Sequence, residues 1–346
     1  LFLVSISAPP EDTPHSVRGV YRGKNLYPLW WSFKWVYSRS VHLVFCLHES
    51  RHLNFGCNNC VCLHAGPEWR VGRYRLGFRH TSGLSGKARL LGATIGRYAG
   101  RIANGTFPLN GHMVKLATNR GCHTIHGGPE GFHRRLWSVC SQSETWLELR
   151  LYSPDGDQGF PGALTVRAVF ALQNNTLTLE TTAISDADTV CSLTNHVYWN
   201  LAGHDSGTID GQLLYVRSDE YLETDRDTIP TGHRLSLAGT CLDLRKPVFL
   251  RGLEADHTFL LPWDNGFHTV GQIQDPGSGR WMELSTDLPS VQVYTGDHLP
   301  QGMRGKSGVI YGPRSGVCLE PQFFPDSPNH TDFPNTLLRK GCKSRH

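Results

Sequence analysis

The sequence has little of the features that mark several common classes of protein. Its 346 residues carry 34 Lys and Arg against 30 Asp and Glu, a net charge of only +4. So small a basic excess gives no support for nucleic-acid binding. No apolar run approaches the roughly 20 residues that a membrane-spanning helix requires, because Lys34 and Arg39 interrupt the aromatic stretch at residues 29–47. We therefore expect neither a nucleic acid nor a membrane as partner.

The cysteines lack the spacing of a disulfide framework. Six of the 10 are scattered singly after residue 100, which is typical of reduced thiols in a cytoplasmic protein. Cys57 and Cys60 form one Cys-x-x-Cys pair, but no second pair follows at zinc-finger spacing. We expect no metal and a cytoplasmic location. The apolar residues 1–8 leave secretion as the alternative, although no basic residues precede them.

The chain also lacks amphipathic helices, since no stretch of 12 residues sustains an apolar period of 3.6. Short segments alternate instead between apolar and polar residues, as at 146–152 and 163–172. Residues 173–175 form a polar turn before the next alternating segment, 176–184, so we predict a β-hairpin there. Segments rich in Gly, Pro and Asp separate further short strands. The pattern predicts an all-β sandwich or barrel, and the absence of internal repeats argues against a propeller.

The first 66 residues follow a different pattern, with no clean alternation and with clustered Trp and Cys. Residues 1–90 hold 12 Lys and Arg against 4 Asp and Glu, whereas the remaining residues hold 22 against 26. We predict an atypical N-terminal segment at residues 1–66, whose order the pattern leaves open, and one β-sandwich domain at residues 67–346. The chain begins with Leu1 and has its first methionine at Met113, so we expect its start to be incomplete.

Three segments carry residues suited to acid–base chemistry. His126 precedes two glycines. This pattern is typical of a loop in which another group lies close to the backbone, although most such triplets are simple turns. His196 shares a strand face with Tyr198, which suits a sugar site, and a hydrogen-bonded buried histidine is the alternative. Glu320 ends an apolar strand, where a carboxylate is either salt-bridged or a base with a raised pKa. Arg97 and Arg101 each offer a forked donor for substrate oxygens.

The order of the motifs along the chain is more specific than any one of them. The sequence contains, in order, Gly96-Arg97, Arg101-Ile102-Ala103, His126-Gly127-Gly128, Asn195-His196-x-Tyr198-x-Asn200-Leu201, Asp256-His257-x-Phe259, Val291-Gln292-Val293-Tyr294-Thr295-Gly296, Cys318-Leu319-Glu320-x-Gln322 and Phe333-Pro334-x-x-Leu337-Leu338-Arg339. In kind, order and spacing these motifs resemble the galactose mutarotase (aldose 1-epimerase) family over residues 90–340, and more weakly back to about residue 68.

The resemblance implies a large, mostly antiparallel β-sandwich with an open sugar-binding cleft. It implies an isomerase that interconverts the α and β anomers of free hexoses such as galactose and glucose, without metal, nucleotide or other cofactor. By the same resemblance, Glu320 is the base at the C1 hydroxyl, His196 is the acid at the ring oxygen, and His126 binds the sugar and assists there. Hydroxyl-binding roles are implied for Arg101, Asp256 and Gln292.

The chain departs from the family pattern at Gly100, where Asn is usual, and at its C-terminal end, where the family continues through a further strand. Two other functions are open. A carbohydrate-binding pseudoenzyme would not need an acid and a base together. A hexose-6-phosphate 1-epimerase would need a basic cluster beside the cleft, for which Arg304 and Lys306 are candidates, although solvated charges are the simpler explanation. We expect a monomer or a weak dimer with a small hexose as its partner.

Overall fold

A computed structural model of the chain describes residues 2–7, 41–45, 61–65, 90–143, 145–264, 266–305 and 308–346. Within these residues the chain forms strands and a few single helical turns, and no α-helix. The helical turns are 3-10 helices at Ala103–Gly105, Phe132–Arg134, Asp157–Gly159 and Ser327–Asn329. None of the helices in this part of the chain is long and apolar enough to span a membrane.

The strands are short, and most are joined by tight turns. The first half of the chain contains β1 (Phe2–Ser7), β2 (Val41–Phe45), β3 (Val61–Ala65), β4 (Thr94–Ile95), β5 (Arg101–Ile102), β6 (Thr106–Leu109), β7 (His112–Lys115), β8 (Thr124–Ile125), β9 (Ser138–Gln142), β10 (Trp146–Ser153), β11 (Leu164–Gln173), β12 (Thr176–Ser185), β13 (Thr189–Val190) and β14 (Thr194–Asn195). The second half contains β15 (Tyr198–Trp199), β16 (Leu213–Val216), β17 (Glu220–Thr224), β18 (Pro230–Ser236), β19 (Val248–Phe249), β20 (Asp256–Leu260), β21 (His268–Asp275), β22 (Arg280–Thr286), β23 (Ser290–Tyr294), β24 (Met303–Arg304), β25 (Ile310–Tyr311), β26 (Val317–Gln322), β27 (Leu337–Leu338) and β28 (Lys343–Arg345).

Two antiparallel sheets dominate the architecture. The larger has the strand order β19-β16-β21-β22-β1-β12-β11-β10-β9, with β28 also paired to β12, and the smaller has the order β15-β26-β23-β20-β17-β18. Strands β11 and β12 form the hairpin predicted from the sequence, with Gln173 opposite Thr176 across the turn. The prediction of a mostly antiparallel β-sandwich is confirmed.

Strand β1 comes from the segment that we predicted to be atypical. It pairs with β12 on one side and β22 on the other, and its Val4 is 1% exposed within the main core. Residues 2–7 are therefore part of the large sheet rather than of a separate segment. Strands β2 and β3 pair with each other. The division at residue 66 otherwise stays a prediction, and Cys57 and Cys60 lie outside the described residues.

Strand β26 shows how the smaller sheet separates its core from its polar face. All six of its residues are buried, and side chains alternate between the two faces of a strand. Val317 and Leu319 pack in the main core with residues of both sheets, including Val291 and Val293 of the neighbouring β23. Cys318, Glu320 and Gln322 consequently lie on the opposite face, where the sheet carries the predicted site.

Candidate active site

The register of the smaller sheet brings polar side chains into a row on its non-core face. Gln292 of β23 lies opposite Glu320 of β26 on one side and Thr258 of β20 on the other. The Thr258 hydroxyl donates a hydrogen bond to Gln292 Oε1 at 2.6 Å, and Gln292 Nε2 donates to Asp256 Oδ1 at 2.7 Å. The two bonds orient the Gln292 amide, which in turn fixes the Asp256 carboxylate beside Glu320.

Arg101 reaches the same row from a different part of the chain, strand β5. Its Nη2 lies 3.7 Å from Asp256 Oδ2, and burial lowers the pKa of the guanidinium, although Asp256 opposes that shift. The loop after β26 holds the backbone here, because Asp326 N donates to Arg101 O at 2.7 Å and Ala103 N donates to Asp326 Oδ1 at 2.9 Å. The position of Arg101 therefore depends on the segment that follows the Glu320 strand.

His126 lies directly after β8, in a left-handed conformation with φ 53°. Its backbone N donates to Gly100 O at 2.9 Å, and Gly100 N donates to its ring Nδ1 at 3.3 Å. Because Nδ1 accepts a hydrogen bond, the proton of the neutral ring is on Nε2. Burial lowers the pKa of this ring well below its usual value, with further contributions from His196 and Arg101. His126 is thus a neutral donor that faces the site.

The two glycines after His126 explain the shape of this loop. Gly127 has φ 81°, and a Cβ there would lie 1.9 Å from the carbonyl oxygen of Gly96. The close approach that we predicted from the His-Gly-Gly motif is therefore made by the chain's own backbone. Only glycine combines this conformation with so short a contact.

His196 lies between β14 and β15 and is 4% exposed. Its ring stacks on Tyr198 with the centroids 5.0 Å apart, and meets the His126 ring edge-on at 5.5 Å. Its Nδ1 lies 3.4 Å from Cys318 Sγ, and its Nε2 lies 3.6 Å from Glu320 Oε1. The predicted acid and the predicted base are therefore neighbours, although 124 residues separate them in sequence.

Burial shifts the pKa values of this pair in opposite directions. Glu320 is 2% exposed, and burial, with Asp256 as a second cause, raises its pKa well above the usual value. Burial lowers the pKa of His196 to about 4. Both shifts favour the neutral forms, in which Glu320 holds the proton that the pair can exchange. Movement of that proton across the 3.6 Å gap gives a carboxylate and an imidazolium with no change in total charge.

One group within the described residues has the composition of a metal site. Single ligand atoms of His196, Cys318 and Glu320 lie within 4.8 Å of one another, and all three residues are buried. This mixture of nitrogen, sulfur and oxygen atoms suits an ion such as zinc. An ion there would occupy both members of the acid–base pair. The expectation that the protein works without metal or cofactor stays a prediction.

The six site residues predicted from the sequence all lie in this region, on six separate segments of the chain. Arg97, the other predicted forked donor, is instead buried and donates to Ser153 Oγ and to the carbonyl oxygen of Pro161. Sequence reasoning missed Thr258 and Asp326, which touch those residues and hold them in place. The alternation Asp256-x-Thr258 could have identified Thr258, because it places both side chains on one strand face. Nothing in the local sequence links Asp326 to the backbone near Arg101.

Comparisons with known proteins point to a single family. A model of the aldose 1-epimerase family matches residues 65–346. The galactose mutarotase of Bos taurus is 38% identical over 301 residues, which are 85% of this chain and 88% of that protein. The aldose 1-epimerase of Escherichia coli (strain K12) is 35% identical over 270 residues, 74% of this chain and 78% of that protein.

Solved structures show the same likeness. The crystal structure of a GalM/aldose epimerase homologue from C. elegans superposes with a TM-score of 0.73 and 30% identity, over 79% of this chain and 85% of that one. A galactose 1-epimerase from Lactobacillus acidophilus NCFM, at 22% identity, shares the fold with a TM-score of 0.68 over 89% of this chain and 97% of that one. Family model, relatives and structures agree, and the chain belongs to the aldose 1-epimerase family.

Proposed function

We propose that this protein interconverts the α and β anomers of free hexoses, with galactose and glucose as substrates. The observation that carries the proposal is the buried Glu320–His196 pair, in which Glu320 Oε1 and His196 Nε2 lie 3.6 Å apart and both pKa shifts favour the neutral forms. Anomerisation requires that a proton be taken from one oxygen and given to another in the same site. A carboxylate and an imidazole that share one proton meet that requirement.

The reaction begins with the pair as carboxylate and imidazolium. Glu320 takes the proton of the C1 hydroxyl while His196 donates a proton from Nε2 to the ring oxygen. The C1–O5 bond breaks, and the aldehyde forms at C1. Rotation about C1–C2 presents the other face of the carbonyl, and ring closure returns both protons. Ring opening adds one proton to Glu320 and removes one from His196, and ring closure reverses both transfers, so the total charge of the site stays constant.

The neighbouring groups hold the sugar in place during these steps. His126 offers its Nε2–H to the ring oxygen, since its Nδ1 already accepts a hydrogen bond from Gly100 N. Arg101, Asp256 and Gln292 bind hydroxyl groups, and their mutual contacts leave little freedom to each side chain. A pre-oriented set of this kind reduces the entropy that is lost when the substrate binds.

The alternative of a hexose 6-phosphate as substrate gains little from the structure. Arg304 is exposed in β24, and Lys306 lies outside the described residues. We therefore propose free hexoses as the substrates. We also propose that the protein is a monomer or a weak dimer. The six cysteines whose side chains the structure describes are free thiols, which supports a cytoplasmic location.

The proposal is tested by following the optical rotation of freshly dissolved α-galactose and α-glucose. We expect the wild-type protein to accelerate mutarotation, and Glu320→Gln to lower kcat by roughly 10²–10⁴-fold, the usual contribution of a general base. The matched control is Glu223→Gln, because Glu223 accepts hydrogen bonds from Thr231 and His233 at the surface. Near-normal mutarotation in Glu320→Gln would contradict the assignment. Hexose binding without turnover in the wild-type protein would favour the pseudoenzyme.

A further inference from the structure

In the part of the chain that the structure describes, three buried polar atoms without partners lie where the candidate site meets the end of β26. Glu320 Oε2, Gln322 Oε1 and Arg101 Nε are buried and have no hydrogen-bond partner within the described residues. Of the 10 atoms of this kind in the described residues, five are Ser and Thr hydroxyl oxygens. Glu320 contributes the one carboxylate oxygen, and Gln322 contributes the one amide oxygen. A buried polar atom left unpaired costs about 1–3 kcal/mol, so a ligand is the natural partner for such a group.

Gln322 lies on the same face of the smaller sheet as Glu320, because the two residues are two positions apart in β26. Two residues of a strand span about 7 Å, which is comparable with the width of one hexose. Gln322 is 1% exposed, and its backbone oxygen accepts a hydrogen bond from Ser290 Oγ at 2.8 Å. That bond fixes the backbone of the residue and leaves its amide oxygen available.

The segment that precedes Arg101 lies directly against the Gln322 amide. A Cβ placed on Gly100 would be 3.5 Å from Gln322 Nε2. Since Gly100 has no side chain, it cannot cover the amide or bond to it. The amide group therefore lies on the strand face of Glu320 and beside Gly100, the residue before Arg101.

We propose that Gln322 is a further substrate-binding residue, whose amide oxygen accepts a hydrogen bond from a hydroxyl group of the hexose. This inference rests on the proposed function. Gln322 Oε1, and Glu320 Oε2 in its carboxylate form, require donors, whereas Arg101 Nε requires an acceptor. Hydroxyl groups can play either part, so a neutral polyol satisfies all three atoms. A phosphate group offers only acceptors when fully ionised, and would leave Gln322 Oε1 unpaired.

The variant Gln322→Met tests the proposal, because it keeps the length of the side chain and removes both polar atoms. We expect KM for galactose to rise about 5- to 20-fold, the usual effect of one lost hydrogen bond to a ligand, while Tm stays unchanged or rises. The control is Gln212→Met, since the Gln212 amide is bonded to Leu201 N and Asn200 Oδ1. That variant should lower Tm and leave KM unchanged. A lower Tm with an unchanged KM in Gln322→Met would instead show a structural role and overturn the proposal.

Deoxygalactoses identify the hydroxyl group involved. In the wild-type protein, removal of the hydroxyl that Gln322 binds should raise KM; in Gln322→Met the same removal should have no further effect. If the loss of each hydroxyl raises KM equally in both proteins, Gln322 binds none of them. Calorimetric titration with galactose separates this inference from the proposed function. A wild-type protein that binds galactose about 5- to 20-fold more tightly than Gln322→Met, yet shows no mutarotation, would support Gln322 and contradict the enzyme. Equal binding by the two proteins would overturn the inference.

Discussion

The buried carboxylate of Glu320 should make the protein less stable than its Glu320→Gln variant, by an amount that grows with pH. Burial raises the pKa of this group in the folded protein well above its ordinary value of 4.5. Below pH 4.5 the group is protonated in both the folded and the unfolded chain, and the two proteins should differ least. Between the unfolded value and the raised folded-state pKa, the unfolded chain has released a proton that the folded chain retains, so stability is lost as the pH rises through this window.

The size of the effect follows from the unpaired oxygen. Glu320 Oε2 has no hydrogen-bond partner in the described part of the chain, and such a group costs about 1–3 kcal/mol. Each unit of pKa shift adds about 1.4 kcal/mol. For a chain of 346 residues, a change of about 1–3 kcal/mol moves Tm by about 1–4 °C. We therefore expect Glu320→Gln to melt about 1–4 °C higher near pH 8, and the part of this difference that comes from the pKa shift to disappear near pH 4.5.

Differential scanning calorimetry of both proteins across this pH range measures the difference. Glu223→Gln is the control, because hydrogen bonds from Thr231 and His233 lower the pKa of Glu223 in the folded state. A lowered pKa stabilises the folded protein above the unfolded value, and this contribution disappears as the pH falls. The Tm difference of the control should thus have the opposite sign. A Glu320→Gln variant that melts lower than the wild type at every pH would refute the reasoning.

Two further predictions follow from the geometry of the site. The pH profile of kcat/KM should be a broad bell. Activity falls below pH about 4, where His196 also takes up a proton and no base remains, and it falls again above the raised pKa of Glu320, where the pair loses its proton. A profile that is flat down to pH 3 would contradict this. Gly127→Ala should lower kcat/KM by at least about tenfold, because the new Cβ would clash with Gly96 O and displace His126. The control is Gly111→Ala, at another glycine with a left-handed conformation, where nothing lies within 4 Å of the new Cβ. Equal activity in the two variants would contradict the role assigned to the loop.

Local patterns predicted the strands well because burial on one face dictates an alternation that the sequence displays directly. The hairpin of β11 and β12 could be derived from the residues alone, including its polar turn. Strand β1 could not, since Val4 is buried only through its pairing with β12 and β22, which are distant in sequence. Six residues cannot show whether a partner on each side exists.

The same difference applies to the site. The residue types of Glu320 and His196 indicated acid–base chemistry, but their separation of 3.6 Å depends on the register between β15 and β26. The roles of Thr258 and Asp326 were missed because a residue that orients another has no chemical signature of its own. Such contacts become visible only when the strands or loops that carry the two partners are placed side by side.

The division of the site between a sheet and a loop segment accounts for how it can be both rigid and strongly polarised. Strands β20, β23 and β26 hold Asp256, Gln292 and Glu320 at fixed spacing, with the apolar residues of the opposite faces packed in the main core. Burial, and after it the charge of Asp256, raises the pKa of Glu320. The cation that limits this effect, Arg101, comes from outside the sheet and is held by the loop that β26 leads into. Strand β26 therefore supplies the base Glu320, and the loop that follows this strand positions Arg101, whose positive charge limits the rise in the pKa of Glu320.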